Sequence, residues 1–189
     1  MRTATPPSIA SPPLARPGPA LVDSLMTRDC LSCRAEDKLD HAAQLMWEGD
    51  CGFLPVVSAD GVVTGVITDR DICMSAYTRG RGLKEIAVMD AMARVVRAVK
   101  PTDTLATAEG VMRASRVRRV PVVDDAGRLA GILSMNDLAR AAAREERLSH
   151  PRLTVAEVTE TLAAICEPRG GVLMAPAASA PMPALAGAP

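Results

Sequence analysis

The segment FLPVVSADGVVTGVITDRD, from Phe53 to Asp71, returns 66 residues later as RVPVVDDAGRLAGILSMND, from Arg119 to Asp137. Each copy begins with a short β-branched run containing a proline, breaks at a polar stretch ending in Gly61 or Gly127, and resumes as a second apolar run. Two such runs joined by Ser58-Ala59-Asp60-Gly61 or Asp124-Asp125-Ala126-Gly127 predict a β-hairpin, with glycine supplying the positive φ of the turn. A helix is expected after Thr68 in the first copy and after Ser134 in the second, because a hydroxyl residue three positions before an acid is a helix-start signal.

The offset of 66 extends outward from this segment. Met26 meets Met92, Leu39 meets Leu105, Ala42 meets Ala108 and Met46 meets Met112; over 22–71 against 88–137, 13 of 50 positions are identical without a gap. Glycines, prolines and acids matching at one fixed offset mark a duplication. Upstream of each hairpin, Cys30–Cys33 and Val95–Val99 read as short strands. Lys38–Glu48 and Thr104–Ala114 read as helices whose apolar residues recur at the three-to-four spacing of one buried face. The unit is therefore β-α-β-β-α, an α/β chain in the α+β sense. A further helix, Thr154–Cys166, lies outside the duplication. The expected organisation is a Pro-rich tail (1–20), a first repeat (21–83), a second repeat (84–147), a helical extension (148–168) and an Ala/Pro-rich tail (169–189). Both tails are expected to be flexible, because proline removes amide donors and small residues offer little to bury.

Composition narrows the function. The 22 basic and 22 acidic side chains leave a formal charge of zero, which argues against a general nucleic-acid binder. One Trp, one Tyr and one Phe offer no stacking platform for single strands, and they leave the core to aliphatic residues and Met. The uncharged stretch from Gly170 to Pro189 is too rich in proline and small residues to sustain a membrane helix. With no apolar signal segment at the N-terminus, the five cysteines are expected to be reduced and the compartment cytoplasmic.

The hairpin and helix-start motifs carry a family resemblance. Val22-Asp23-Ser24-Leu25-Met26-Thr27, Pro55-Val56-Val57 and Gly65-Val66-Ile67-Thr68-Asp69-Arg70-Asp71, with their second copies at Val88–Met92, Arg119–Asp124 and Gly131–Asp137, resemble the CBS domain. The chain is similar to a stand-alone CBS pair, or Bateman module, of bacterial type over roughly Val22 to Glu146. The resemblance implies two repeats packed through their sheets as one pseudo-twofold module with two clefts. Those clefts would take an adenosyl ligand such as AMP, ADP, ATP or S-adenosylmethionine, and the module would form a homodimer. No further cofactor or metal is implied.

The site residues follow from that frame and from chemistry. Thr68 and Ser134 fall at helix N-caps, where free amides and the helix dipole attract a phosphate. Asp71 and Asp137, three residues on, suit the paired ribose hydroxyls because an ionised carboxylate only accepts hydrogen bonds. The same spacing is also a plain capping box, which requires no ligand. Arg118 and Arg119 precede the second Pro-Val-Val strand and Arg70 follows Thr68. All three are candidates for ligand phosphates, although Arg113, Arg116 and Arg118 read equally well as a solvated face. Gly52 and Phe53 replace the arginine pair in the first copy, so the clefts are expected to differ. Adenine would lie between aliphatic groups near Leu54 and Val120. Cys30-Leu31-Ser32-Cys33 has zinc or redox spacing but lies on a predicted strand, so it reads as core. Trp47 closes the first helix and is a candidate for a dimer interface.

Three functions compete: a nucleotide-responsive regulator signalling in trans through an effector protein, a ligand-free dimerisation or stress scaffold, and an enzyme. The last has no nucleophile–His–acid set to support it.

Overall fold

The computed structural model describes residues 18–168, so both expected tails lie largely outside the described residues. Five α-helices and four β-strands appear in the order α1 (Leu39–Glu48), β1 (Phe53–Val57), β2 (Val63–Thr68), α2 (Asp69–Arg79), α3 (Leu105–Ser115), β3 (Arg119–Val123), β4 (Leu129–Ser134), α4 (Met135–Glu145) and α5 (Val155–Cys166). Short 3₁₀ turns at Val22–Ser24 and Val88–Asp90 open the two repeats, and a third, Leu83–Glu85, follows α2.

Each hairpin is antiparallel and carries a register shift at the same place, between Val56 and Val57 and between Val122 and Val123. Gly61 and Gly127 turn them with φ of 78° and 77°. In the second turn Asp124 accepts from the Ala126 and Arg128 amides and from the Arg128 guanidinium; these bonds hold its carboxyl below the usual range.

The expected strands at Cys30–Cys33 and Val95–Val99 do not form. Each shrinks to one parallel bridge, Cys33 with Val56 and Val99 with Val122. Cys33 donates to the Pro55 carbonyl and accepts from the Val57 amide. Extending that ladder by two residues toward Leu31 would require an amide hydrogen on Pro55, which proline lacks; Pro121 stops the second copy in the same way.

Two aliphatic cores result, and each draws on both repeats. Leu39, Ala42, Met46, Leu54, Val56, Ile67 and Ile72 pack with Ile86 and Val88, which lead into the second repeat. Leu105, Ala108, Met112, Val120, Val122, Leu133 and Leu138 pack with Ala20, Val22 and Met26 from the start of the first. The leading segments have therefore crossed over. Ala93 bridges to Val66, and Thr27 bridges to Ile132 with hydrogen bonds of 2.9 Å in both directions. The repeated glycines Gly65 and Gly131 mark where these segments pass: a Cβ on Gly65 would stand 2.7 Å from Met92 Sδ, and one on Gly131 would stand 2.6 Å from the Thr27 carbonyl oxygen.

Helix α5 is capped by Thr154, whose hydroxyl accepts from the Glu157 amide while Glu157 reaches back to the Thr154 amide. It packs on α3 and α4. Between α3 and α5 lies a polar chain in which Arg113 donates to the Thr161 hydroxyl (3.0 Å) and Thr161 donates to Glu109 Oε1 (3.1 Å). Burial raises the Glu109 carboxyl above its ordinary value, against the opposing pull of Thr161 and Arg113. A carboxyl raised by folding contributes stability that is fully present below its unfolded pKa and is lost as pH rises through the folded value. Glu109→Gln, which keeps an acceptor for Thr161 and removes the charge, is therefore expected to be more stable than the parent at pH 7. Thermal unfolding between pH 4 and 7 should show that advantage shrinking toward the acid end.

Candidate ligand-binding site

The two hydroxyl–acid pairs sit where the hairpins hand over to helices. Thr68, at the end of β2, pairs with Phe53 across the hairpin; Ser134, at the end of β4, pairs with Arg119. Both residues are extended N-caps, and both complete a reciprocal capping box. The Thr68 hydroxyl accepts from the Asp71 amide (3.2 Å), while Asp71 Oδ2 accepts from the Thr68 amide (3.0 Å) and hydroxyl (2.7 Å). Ser134 and Asp137 repeat the arrangement, with Oδ2 of Asp137 as the shared acceptor.

The outer carboxylate oxygens differ. Asp71 Oδ1 accepts no hydrogen bond among the described residues, whereas Asp137 Oδ1 is held by the Arg140 guanidinium one helical turn on. The residue at Arg140's place in the first copy, 66 positions earlier, is Met74. Arg140 was not a candidate from sequence, although its spacing of three residues from Asp137 on a helix is a legible signal.

The remaining candidates fall into three groups. Arg119 is half-buried beside Ser134 at the hairpin end, while Arg70 and Arg118 are exposed. The Arg118 carbonyl accepts from the Met135 amide and so helps to seat the start of α4. Its counterpart Gly52 leaves room for the Asp69 carboxylate, because a Cβ there would stand 2.6 Å from Asp69 Oδ2. Leu54 and Val120, the candidates for adenine contact, are each 0% exposed and belong to the two cores. Strand alternation turns them onto α1 and α3. Of the arginines read as a solvated face, Arg113 and Arg118 are exposed; Arg113 also donates to the Thr161 hydroxyl, and the half-buried Arg116 bonds to the Pro168 carbonyl and pairs with Glu167.

Each site takes an edge from both repeats because of the crossed segments: Ala93 lies beside Val66, two residues before Thr68, and Thr27 lies beside Ile132, two before Ser134. The Cys30/Cys33 pair offers no reactive thiolate. Burial pushes the Cys33 thiol up to about 12, with Asp37 adding to the effect, and burial also raises Cys30. Both thiols are thereby held toward the protonated form, which disfavours nucleophilic attack. No helix of the described residues is long and apolar enough to cross a membrane.

A family model described as CBS domain matches residues 22–76 and 84–144. The chain is 32% identical over 118 residues to the CBS domain-containing protein YhcV of Bacillus subtilis, covering 62% of this chain and 82% of that protein. It is 31% identical over 121 residues to homoserine O-acetyltransferase of Methanocorpusculum labreanum, covering 64% of this chain but only 24% of the enzyme. This chain thus spans about a quarter of that relative's length, and the likeness is to its CBS region. The crystal structure of CBSX2 in complex with AMP superposes with a TM-score of 0.59 at 26% identity, covering 68% of this chain and 99% of that one.

Proposed function

This chain belongs to the CBS-domain family, and on that premise we propose that it is a regulatory module binding an adenosyl ligand (AMP, ADP, ATP or S-adenosylmethionine) between its repeats. The carrying observation is the hydroxyl–acid pair present in both copies, with one Asp71 carboxylate oxygen at a helix start accepting no hydrogen bond among the described residues. That oxygen suits a ribose hydroxyl donor, and the first amides of α2 and α4 suit an anionic group. The AMP complex of CBSX2 supports the choice of ligand class. The module works as a homodimer and passes its ligand state to a separate effector protein, an output that is regulatory and not catalytic. Such control requires the ligand to favour one arrangement over another energetically.

A second reading, a ligand-free dimerisation scaffold, is favoured by the same boxes: hydroxyl and carboxylate already satisfy each other, so the helix starts are complete without a guest. Calorimetry and thermal unfolding with AMP, ADP, ATP and S-adenosylmethionine separate the two. A ligand present at a hundredfold excess over its dissociation constant adds about 2.7 kcal/mol of stability by mass action. A rise in unfolding temperature with at least one of the four is expected. Absence of binding to all four would decide for the scaffold.

A further inference from the structure

Helix α5 lies outside the duplication, yet it holds both elements that frame the second site. It packs on α3 and on α4, and α4 begins at the Ser134–Asp137 capping box. Its polar contacts with α3 fall at two places. Thr161, 0% exposed, accepts from Arg113 and donates to Glu109. Just past the end of α5, the Pro168 carbonyl accepts from Arg116 (3.4 Å) and the Glu167 carboxylate pairs with the same guanidinium (3.7 Å).

Arg116 ends α3 and turns the chain toward the site. Its φ of 52° is left-handed, and only Val117 separates it from Arg118. The Arg118 carbonyl accepts from the Met135 amide at 2.9 Å, and Arg119 pairs with Ser134 across the hairpin. A path of hydrogen bonds and two backbone links thus runs from Glu167 and Pro168, through Arg116, to the first amide of α4. The duplication supplies an internal comparison. Glu109, Arg113 and Arg116 correspond to Ala43, Trp47 and Asp50 in the first copy, residues that cannot make these contacts. Asp50 repeats the left-handed turn with φ of 45°, but the bond it leads to, from the Asp69 amide to the Gly52 carbonyl, is longer at 3.4 Å.

We propose that α5 is a regulatory element of the second ligand site: its docking and ligand binding at Ser134–Asp137 strengthen each other, and the first site is indifferent to it. An anionic ligand group at the first amides of α4 and at Arg118 orders the same junction that Arg116 fixes when α5 is docked. Whichever event comes first lowers the ordering cost of the second. The element with two states is α5 itself. It belongs to neither hairpin, its end is held by an ion pair whose Glu167 side chain is 67% exposed, and its buried face carries a polar chain amid Val158 and Ile165. A single appended helix of this kind can open locally while the hairpins stay folded. The coupling is reciprocal, so what the ligand adds to α5 docking, α5 adds to ligand affinity.

This inference rests on the ligand-binding reading, and calorimetry beside hydrogen exchange on the full chain keeps the two apart. AMP, ADP, ATP and S-adenosylmethionine are each added in turn. A ligand that binds is expected to slow exchange of the α5 amides from Val158 to Cys166 about tenfold. Asp137→Asn should reduce that protection, and Asp71→Asn should leave it in place. In the reverse direction, Arg116→Asn removes the guanidinium and keeps a residue that tolerates the left-handed turn. With the first site silenced by Asp71→Asn, this change should weaken the remaining binding about tenfold. Glu167→Ala, at an exposed position beyond the helix, should act in the same direction by a smaller factor. Binding of none of the four ligands would remove the ligand-binding reading and this inference with it. Binding that leaves α5 exchange unaltered, or that neither Arg116→Asn nor Glu167→Ala weakens, would overturn the inference alone.

Discussion

Gly131→Val is expected to be the most destabilising single change at the junction of the repeats. A Cβ at 131 would stand 2.6 Å from the Thr27 carbonyl oxygen, and the obstacle is backbone, not the end of a flexible side chain. Relief requires the crossed segment to move, which strains the two 2.9 Å hydrogen bonds between Thr27 and Ile132 and unseats Met26 from the core. Overpacking alone costs about 1–3 kcal/mol, and each lost hydrogen bond adds about 1 kcal/mol. A loss of roughly 2–4 kcal/mol in total is expected, at about 2–4 °C of unfolding temperature per kcal/mol for a chain of this size. Gly110→Ala is the contrasting control. Nothing lies within 4 Å of a Cβ at that helical position, so alanine should stabilise α3 by about 0.5–1 kcal/mol. Equal melting temperatures for Gly131→Val and the parent would refute the crossing of the leading segments.

The second large effect is expected at Asp71. Asp71→Asn retains an oxygen for the Thr68 amide, so α2 keeps most of its cap, but the outer position changes from a carboxylate oxygen to an amide donor. A hydrogen bond to a charged group contributes about 1.5–3 kcal/mol, so affinity for AMP at this site should fall roughly ten- to a hundredfold with little change in melting temperature. Asp137→Asn should cost less affinity at the second site. Arg140 already donates to the outer oxygen of Asp137, and a ribose hydroxyl would share that oxygen with it. Titration calorimetry of both variants and the double variant measures this directly. Unaltered AMP binding in the double variant would remove both aspartates from the site.

The candidate site was legible in sequence as far as its local chemistry reached. Thr68 with Asp71 and Ser134 with Asp137 stand as capping boxes at helix starts because a hydroxyl, an acid and a spacing of three residues settle that geometry without help from the rest of the chain. The full burial of Leu54 and Val120 in the two cores was not legible, since a short all-apolar strand does not reveal which of its faces is covered first. The contacts of Arg113 and Arg116 were hidden for a different reason: their partners lie about fifty residues away and outside the repeat, Thr161 on α5 and Glu167 and Pro168 just past its end.

The duplication, the α/β unit, the hairpins and their glycine turns, and the starts of α2, α4 and α5 were determined by the sequence itself. Each rests on propensities and hydrogen bonds between residues a few positions apart. Tertiary structure alone decided that the leading segments cross between repeats, that each candidate site is edged by both copies, and that α5 packs on the second repeat. Those outcomes depend on which apolar face meets which and on where a backbone has room to pass. Gly65 and Gly131 record that room as missing side chains, but only the passing segments at Met92 and Thr27 disclose its purpose.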